Sequence, residues 1–482
     1  MVRYDLLLLS AVFVPLAGAC ILPLAGRVSL RLRNALALGF ILVPFAASLR
    51  MIAPVLRNEA IPVNIPLVPG ISLVFLADGL AVFMACVSSL ISAIIVLYSF
   101  GYISHYENQN EYYSMVTLFI GAMMGLIFAA HLILLYIFWE ITAITSWRLI
   151  GFFREKEYVL KADKAFLVTV FGALAMLIGF IIIYQQAGSF EFSAIKASLK
   201  GGSLTGLTVL LILVGIFSKS ATLPFHTWLP DAGVAPSPVT ALLHAAILVK
   251  IGVYVFARLF VVTFPVAAFW HTAVPVIALA SAIVSAGAAL VETDLKRLIA
   301  YSTISQIGFI FFGLAVGNLM AVAGGLLYIL MHGIAKAGLF LCAGIIEQNT
   351  KIRDITKLGG LITTMPVTAV SFLCCAFSVM GIPPFGGFFS KYLVFAGAIE
   401  AGQLWISFAF LLCAFLTILY LFRVFNLVFL GQAQAPWPKE SSPVMVASVA
   451  LLALLSLLSG IFINYPAGFA QAVTAGMLGM AR

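Results

Sequence analysis

Between Asp5 and Arg27 the chain carries no charged side chain, and apolar stretches of this kind recur almost to its last residue. A helix needs about 20 consecutive apolar residues to cross the hydrocarbon of a bilayer. The chain is 63% hydrophobic and 9% charged, against about a quarter charged in soluble domains. The expected fold is therefore all-α and integral to a membrane, with residues 1–482 forming a single transmembrane domain. A cleavable leader would end its short apolar core at a small-residue site. Here the segment from Asp5 to Leu24 runs on into more of the same, so it reads as the first span. No soluble domain of useful size is expected.

The formal net charge of +9 does not point to nucleic acid. The basic residues form no run longer than the Arg27, Arg31, Arg33 cluster, and no basic–aromatic platform stands outside the apolar segments. The cysteines Cys20, Cys86, Cys342, Cys374, Cys375 and Cys413 all sit inside apolar stretches. None shows iron–sulfur, haem or zinc spacing. No cofactor and no metal site is expected, and the adjacent Cys374 and Cys375 read as packing residues.

Window reading gives about 14 spans. Their approximate limits are 4–25, 34–56, 72–103, 112–130, 131–152, 162–184, 206–228, 238–264, 268–292, 295–316, 319–346, 364–398, 403–430 and 443–465. If these alternate across the membrane, one side collects 13 basic residues, from Arg27 to Lys439. The other holds five: Arg3, Arg57, Lys196, Lys200 and Arg482. Cytoplasmic loops carry the Lys/Arg excess, so both termini are expected to face outward from a cell membrane.

The remaining eight basic residues fall inside spans: Arg50, Arg148, Lys219, Lys250, Arg258, Lys336, Lys391 and Arg423. A charge at the bilayer centre costs about 2.5–3.5 kcal/mol on insertion scales. Arg50 and Arg258 lie near span ends and are expected to snorkel to water. Arg423 can instead bond helix-end carbonyls. The lysines lie mid-span or beside a break, where snorkelling is awkward. Glu140 is the one acid read as deep in a span, with Asp78 near the start of the third. Burial disfavours a charged lysine and a nearby carboxylate favours it, so a movable glutamate beside a buried lysine can act as a proton switch. Arginine stays protonated and cannot.

His244 stands six residues before Lys250, and His332 one helical turn before Lys336. Histidine passes protons near neutral pH through either ring nitrogen. His226 follows the break after Lys219 and reads equally well as a packing residue. Two spans hold helix breakers beside a lysine: Lys219-Ser-Ala-Thr-Leu-Pro224, and Gly381-Ile-Pro-Pro-Phe-Gly-Gly387 ahead of Lys391. Broken spans at matching places in two halves point to ion sites in repeat-built transporters. Helices 7 and 12 are thus expected to be broken.

The segments YIFWEITAITSWRLIG (136–151), SKSATLPFHTWLPD (218–231), PSPVTALLHAAILVKIG (236–252), ETDLKRLIAYSTISQIG (292–308), HGIAKAGLFLCAG (332–344) and GIPPFGGFFSK (381–391) resemble the antiporter-like subunits of respiratory complex I. Mrp-type Na⁺/H⁺ antiporters and membrane-bound hydrogenases contain similar subunits. The resemblance spans about residues 70–430 and implies two inverted five-helix repeats, here 112–264 and 268–430. It implies a hydrated mid-membrane axis in which Glu140 and Lys219 form the switch pair. His244, Lys250, His332 and Lys336 would continue it, and Lys391 would guard the exit side. Asp294 and Lys296 match a family motif without a catalytic assignment. The largest complex I member has Arg and Asp where this chain has Val170 and Ala173. WEITAITSW and IAKAGLFLCAG look closest to single-module hydrogenase-type subunits and to the N-terminal half of the Mrp large subunit.

The expected function is proton translocation, with Na⁺ as a second candidate ion, in a larger redox-driven complex of hydrogenase or complex I type. Electrons would travel in peripheral iron–sulfur subunits beside other membrane subunits. The alternative is a subunit of a gradient-driven Mrp-type antiporter. A membrane oxidoreductase binding its own haem is disfavoured, because the histidines accompany lysines and form no axial pairs.

Overall fold

The computed structural model describes residues 3–68, 71–199, 202–440 and 442–480. Lys200 and Arg482, counted above among the outward-facing basic residues, lie outside them. Helices α1 (Tyr4–Val28) and α2 (Leu30–Leu56) meet at Ser29, whose Oγ accepts the Leu32 amide at 3.4 Å and caps α2. A hairpin of β1 (Ile61–Val68) and β2 (Ile71–Ala77) follows, with Ile61 opposite Ala77. Next come α3 (Gly79–Tyr102), α4 (Gln109–Phe128), α5 (Leu132–Ile150), α6 (Lys156–Ala187), the short α7 (Phe192–Ser198) and α8 (Gly206–Lys219). Tight turns around α9 (Trp228–Asp231) lead to α10 (Ser237–Ala241) and α11 (Leu248–Phe256). π-helical turns at Leu242–Ala246 and Ala257–Thr263 make one span of α10 and α11.

The remaining helices are α12 (Trp270–Val291), α13 (Leu295–Val316), α14 (Leu319–Thr350), α15 (Pro366–Met380), α16 (Gly386–Glu400), α17 (Leu404–Phe425), α18 (Pro443–Ile461) and α19 (Asn464–Met477). Twelve helical stretches are long and apolar enough to cross a membrane among the described residues. The expected spans 206–228 and 364–398 are each in two pieces, α8 with the turns after it and α15 with α16. The third expected span starts later than read, at Gly79, because residues 71–77 are the second strand of the hairpin. The last ends at Ile461, and α19 follows it.

The polar sites sit on the innermost helices. The apolar windows of α13 and α14 are 94% buried, against 39% for α1, α6 and α17. Side-chain caps start these helices: Asp294 Oδ1 accepts the Arg297 amide at 2.9 Å for α13, and Asn318 Oδ1 accepts the Ala321 amide at 2.9 Å for α14. Two isolated strand bridges tie loops together. His131 before α5 pairs with Glu191 after α6, and Asp294 before α13 pairs with Asp354 after α14.

Arg258 does not snorkel. Its guanidinium is 3% exposed and grips Asp78 through two bonds of 2.5 and 2.7 Å, while Nε donates to the Tyr254 hydroxyl at 3.0 Å. Asp78 also caps α3 by accepting the Ala81 amide at 3.0 Å. The pair thus fastens the π-helical end of the 237–263 span to the start of α3. Removing one partner of a buried pair leaves an uncompensated charge. Asp78→Asn is therefore expected to cost about 3 kcal/mol, read as a clear drop in the thermal midpoint of the detergent-purified protein. An unchanged midpoint would show that the pair does not hold these elements.

Candidate functional site

Each of the expected site residues except Glu140 is buried, and together they follow one line of helices. Lys219 is the last residue of α8. Beyond it Ala221 takes φ of 51° and the helix stops. The freed Ser218 carbonyl accepts the Trp228 indole N–H at 2.9 Å, so the break is sealed from within. Lys219 Nζ donates to the Trp139 carbonyl at 3.1 Å and lies 5.2 Å from the Trp139 ring. Glu140 is the next residue on α5 and half-buried, with Oε1 enclosed and without a hydrogen-bond partner. Glu140 and Lys219 influence each other electrostatically but do not make an ion pair within 4 Å. The two side chains therefore stand apart, with the lysine turned to a main-chain carbonyl.

His244 occupies the π-helical turn between α10 and α11. Such turns push one side chain out of helical register and are frequent at functional sites. Its ring lies 4.5 Å from that of Phe340, and neither nitrogen has a hydrogen-bond partner. Lys250 Nζ is likewise buried without a partner. It reaches the backbone of α14 because residue 333 is glycine: a Cβ there would stand 2.8 Å from Nζ.

His332 and Lys336 share a face of α14, one turn apart. The charges acting on His332 are those of Lys250, Lys336 and Lys391, with His244 beside them. Both of its ring nitrogens are unpartnered. Lys336 Nζ donates to Ser302 Oγ at 2.5 Å and to the Ile299 carbonyl at 3.2 Å. Lys391, two turns into α16, turns back to the second break and donates to the Val379 carbonyl at 2.7 Å. The Phe309 and Tyr328 rings lie 4.7 and 5.4 Å from its ammonium. The arrangement is a row of buried bases, each able to take or give a proton, with one carboxylate near its start.

His226 stands apart from this row, half-buried in the turns after α8, with Nδ1 enclosed and unpartnered. Lys296 donates to the Ala235 carbonyl at 2.8 Å and to Glu347 at 3.1 Å, a structural pair. Arg148 pairs with Glu111, which also holds Arg154 at 2.7 Å. Arg423 donates to the Leu290 carbonyl at 2.6 Å and the Glu292 carbonyl at 3.1 Å, the helix-end role considered above. Sequence reasoning missed Trp139, Ser302 and Tyr328. The nearest sign of Ser302 was the row of Ser, Thr and Gln inside the 295–316 span, a weak one because mid-helix hydroxyls commonly bond their own backbone.

The family described as NADH:quinone oxidoreductase/Mrp antiporter, transmembrane, matches residues 129–417, more than half of the chain. The chain belongs to this family. Residues 69–113 match the N-terminus of chain 5 of NADH-ubiquinone oxidoreductase (complex I). The Na⁺/H⁺ antiporter subunits A1 of Staphylococcus haemolyticus and Staphylococcus saprophyticus are each 33% identical over 95% of this chain. The chain spans about 61% of the length of these relatives. Among solved structures, a chain of the Mrp complex from Dietzia sp. DQ12-45-1b superposes with a TM-score of 0.89 at 22% identity, covering 99% of this chain and 98% of that one. A chain of the archaeal membrane-bound sulfane sulfur reductase gives 0.87 at 22% identity, with 98% and 97% covered. The antiporter-like fold, multi-pass in the membrane, is thus common to all of them.

Two glycines on this row differ in what they can tolerate. At Gly387 a Cβ would meet the Ser378 carbonyl oxygen at 1.8 Å, so α15 and α16 would have to part. At Gly333 the nearest atoms, Ile91 Cδ1 at 2.5 Å and Lys250 Nζ at 2.8 Å, end flexible side chains. Gly387→Ala is expected to destabilise by about 1–3 kcal/mol, and Gly333→Ala by clearly less. Parallel thermal unfolding in detergent checks the order, and equal losses would refute it.

Proposed function

We propose that this chain moves protons across a cell membrane as one subunit of a larger membrane complex. The observation that carries the reading is the set of buried, carboxylate-poor bases Lys219, His244, Lys250, His332, Lys336 and Lys391. A buried lysine normally has an acidic partner. Here Lys219, Lys336 and Lys391 donate to main-chain carbonyls, and Lys250 has no hydrogen-bond partner.

Glu140 is the switch. In the separated arrangement Lys219 leans on the Trp139 carbonyl, one residue from the carboxylate. A rotation of either side chain closes the pair and favours the charged lysine; opening it releases the proton onward to Lys250. The later bases hand it to Lys391 at the second break.

Coupling to cation exchange is favoured by the relatives at 33% identity, which carry the name Na⁺/H⁺ antiporter. A redox-driven complex with iron–sulfur subunits is the second reading, favoured by the shared fold with a chain of a respiratory sulfur reductase. Mild-detergent purification from native membranes with mass spectrometry separates them. Small multi-span partners without metal support the first; iron–sulfur subunits support the second. The 13-to-five bias of basic residues supports both termini facing outward.

Two five-helix units, 112–264 and 268–430, would carry the two halves of the path, and four correspondences support them. The third helix of each, α6 and α14, is 32 residues long. The fourth is broken, and the fifth ends in π-helical turns, at Ala257–Thr263 and Asn426–Leu430. The bridges His131–Glu191 and Asp294–Asp354 each join the start of the second helix to the loop after the third.

Lys219→Ala and Glu140→Ala are each expected to slow proton movement in vesicles containing the assembled complex by about a hundredfold. Native gels would check assembly. Undiminished transport in both variants would sink the relay.

A further inference from the structure

From Lys336 a chain of side-chain hydrogen bonds runs toward the neighbourhood of Lys391 without including His332. Lys336 Nζ donates to Ser302 Oγ at 2.5 Å, and Ser302 Oγ is 2.7 Å from the Tyr420 hydroxyl. Tyr420 donates to Thr417 Oγ1 at 3.2 Å, and Thr417 donates to the Cys413 carbonyl at 2.8 Å. From the other end, the Tyr328 hydroxyl donates to Gln306 Oε1 at 2.5 Å, and Gln306 Nε2 donates to Thr417 Oγ1 at 3.1 Å. The Tyr328 ring lies 5.4 Å from Lys391 Nζ. Five side chains from α13, α14 and α17 thus link one lysine to the neighbourhood of the other, and all of them are buried.

Donor directions decide what this chain of bonds can do. Tyr420 has one hydroxyl proton, given to Thr417, so Ser302 must donate to Tyr420. Every bond on the Lys336 arm therefore points away from Lys336, and every bond on the Tyr328 arm points away from Tyr328. The arms collide at Thr417. Hydroxyls can rotate and reverse such an order, but Gln306 cannot pass a proton. Its amide nitrogen keeps both hydrogens, and its oxygen only accepts. Turning the amide over exchanges donor and acceptor but still leaves an amide between Thr417 and Tyr328.

We propose that Gln306 is a positioning residue that interrupts the hydroxyl route between Lys336 and the Lys391 end, so that the proton must pass through His332. Resting on the proton-transport reading above, this adds an insulator to the relay. Lys336 gives its proton to one ring nitrogen of His332. The other nitrogen releases one toward Lys391, and the imidazole returns to its neutral form. Tyr328, His332 and Lys336 follow at successive turns of α14, so among the described residues the amide interrupts a side-chain path that runs beside the histidine as far as the Tyr328 hydroxyl.

The test is rescue. In vesicles holding the whole complex, His332→Ala is expected to slow proton movement by about tenfold or more. Adding Gln306→Glu supplies a carboxylic acid, which accepts on one oxygen and releases from the other. The double variant is expected to run at least about threefold faster than His332→Ala alone. His332→Ala with Gln306→Leu, of similar size but without a relay group, is expected to show no such gain. If the glutamate variant fails to assemble, Gln306→His serves as the second relay-competent replacement.

Normal transport in His332→Ala, or an assembled double variant no faster than the single one, overturns the proposal. Lys219→Ala measured in parallel separates the two levels. Intact transport there ends the proton-relay reading itself. Loss there without rescue at Gln306 ends the insulator alone.

Discussion

Main-chain carbonyls, not carboxylates, hold most of the lysines at the centre of this protein. Lys219 rests on Trp139, Lys336 on Ile299 and Lys391 on Val379. The distinction matters because an ammonium has three donors and a neutral amine still has two, so a carbonyl keeps its hydrogen bond when the proton leaves. A carboxylate partner would lose most of its attraction at the same moment. Carbonyl anchoring therefore lets a buried lysine change charge without losing its place. Glu140 is the exception near the start of the row, where charge can be modulated by moving one side chain.

The charges that do have carboxylate partners form a separate population, away from the row. Lys164 and Arg297 share Asp231, Arg297 also reaches Glu292, and Lys296 and Arg353 share Glu347. These pairs tie α6, α9, α13 and α14 together beside their loops. Asp231 in particular links the turns after the first break to the start of α13. The cations with carboxylate partners hold the helices together, whereas those of the row are the ones to which the proposed relay assigns the exchangeable charge.

Much of this was legible in the sequence, because membrane burial makes charge conspicuous. The broken spans were marked by Pro224, Pro383, Pro384 and their neighbouring glycines, and the buried bases stood out against an apolar background. What stayed hidden depends on contacts between distant segments. Arg258 read as a snorkelling side chain because Asp78 is 180 positions away. The hairpin at 61–77 read partly as the start of a span, since β-branched and leucine-rich strands share a span's composition. Ser302, Thr417 and Gln306 look like the ordinary polar residues of a membrane helix until three helices are packed around them. Periodicity also gives no sign of the π-helical turn that sets His244 out of register.

The two breaks differ in where their lysine stands. Lys219 precedes its break, at the C-terminal end of α8, whereas Lys391 follows its break, inside α16. A helix C-terminus carries partial negative charge and favours a cation in its last turn. Lys219 sits in such a turn, with Glu140 on α5 acting on it electrostatically. Lys391 bonds a carbonyl at the end of α15 and has aromatic faces around it. It lines an apolar groove between α16 and α17 of about 970 Å³. Under the relay proposed above, the carboxylate beside the first break is the one whose position would decide whether Lys219 holds its proton or passes it on.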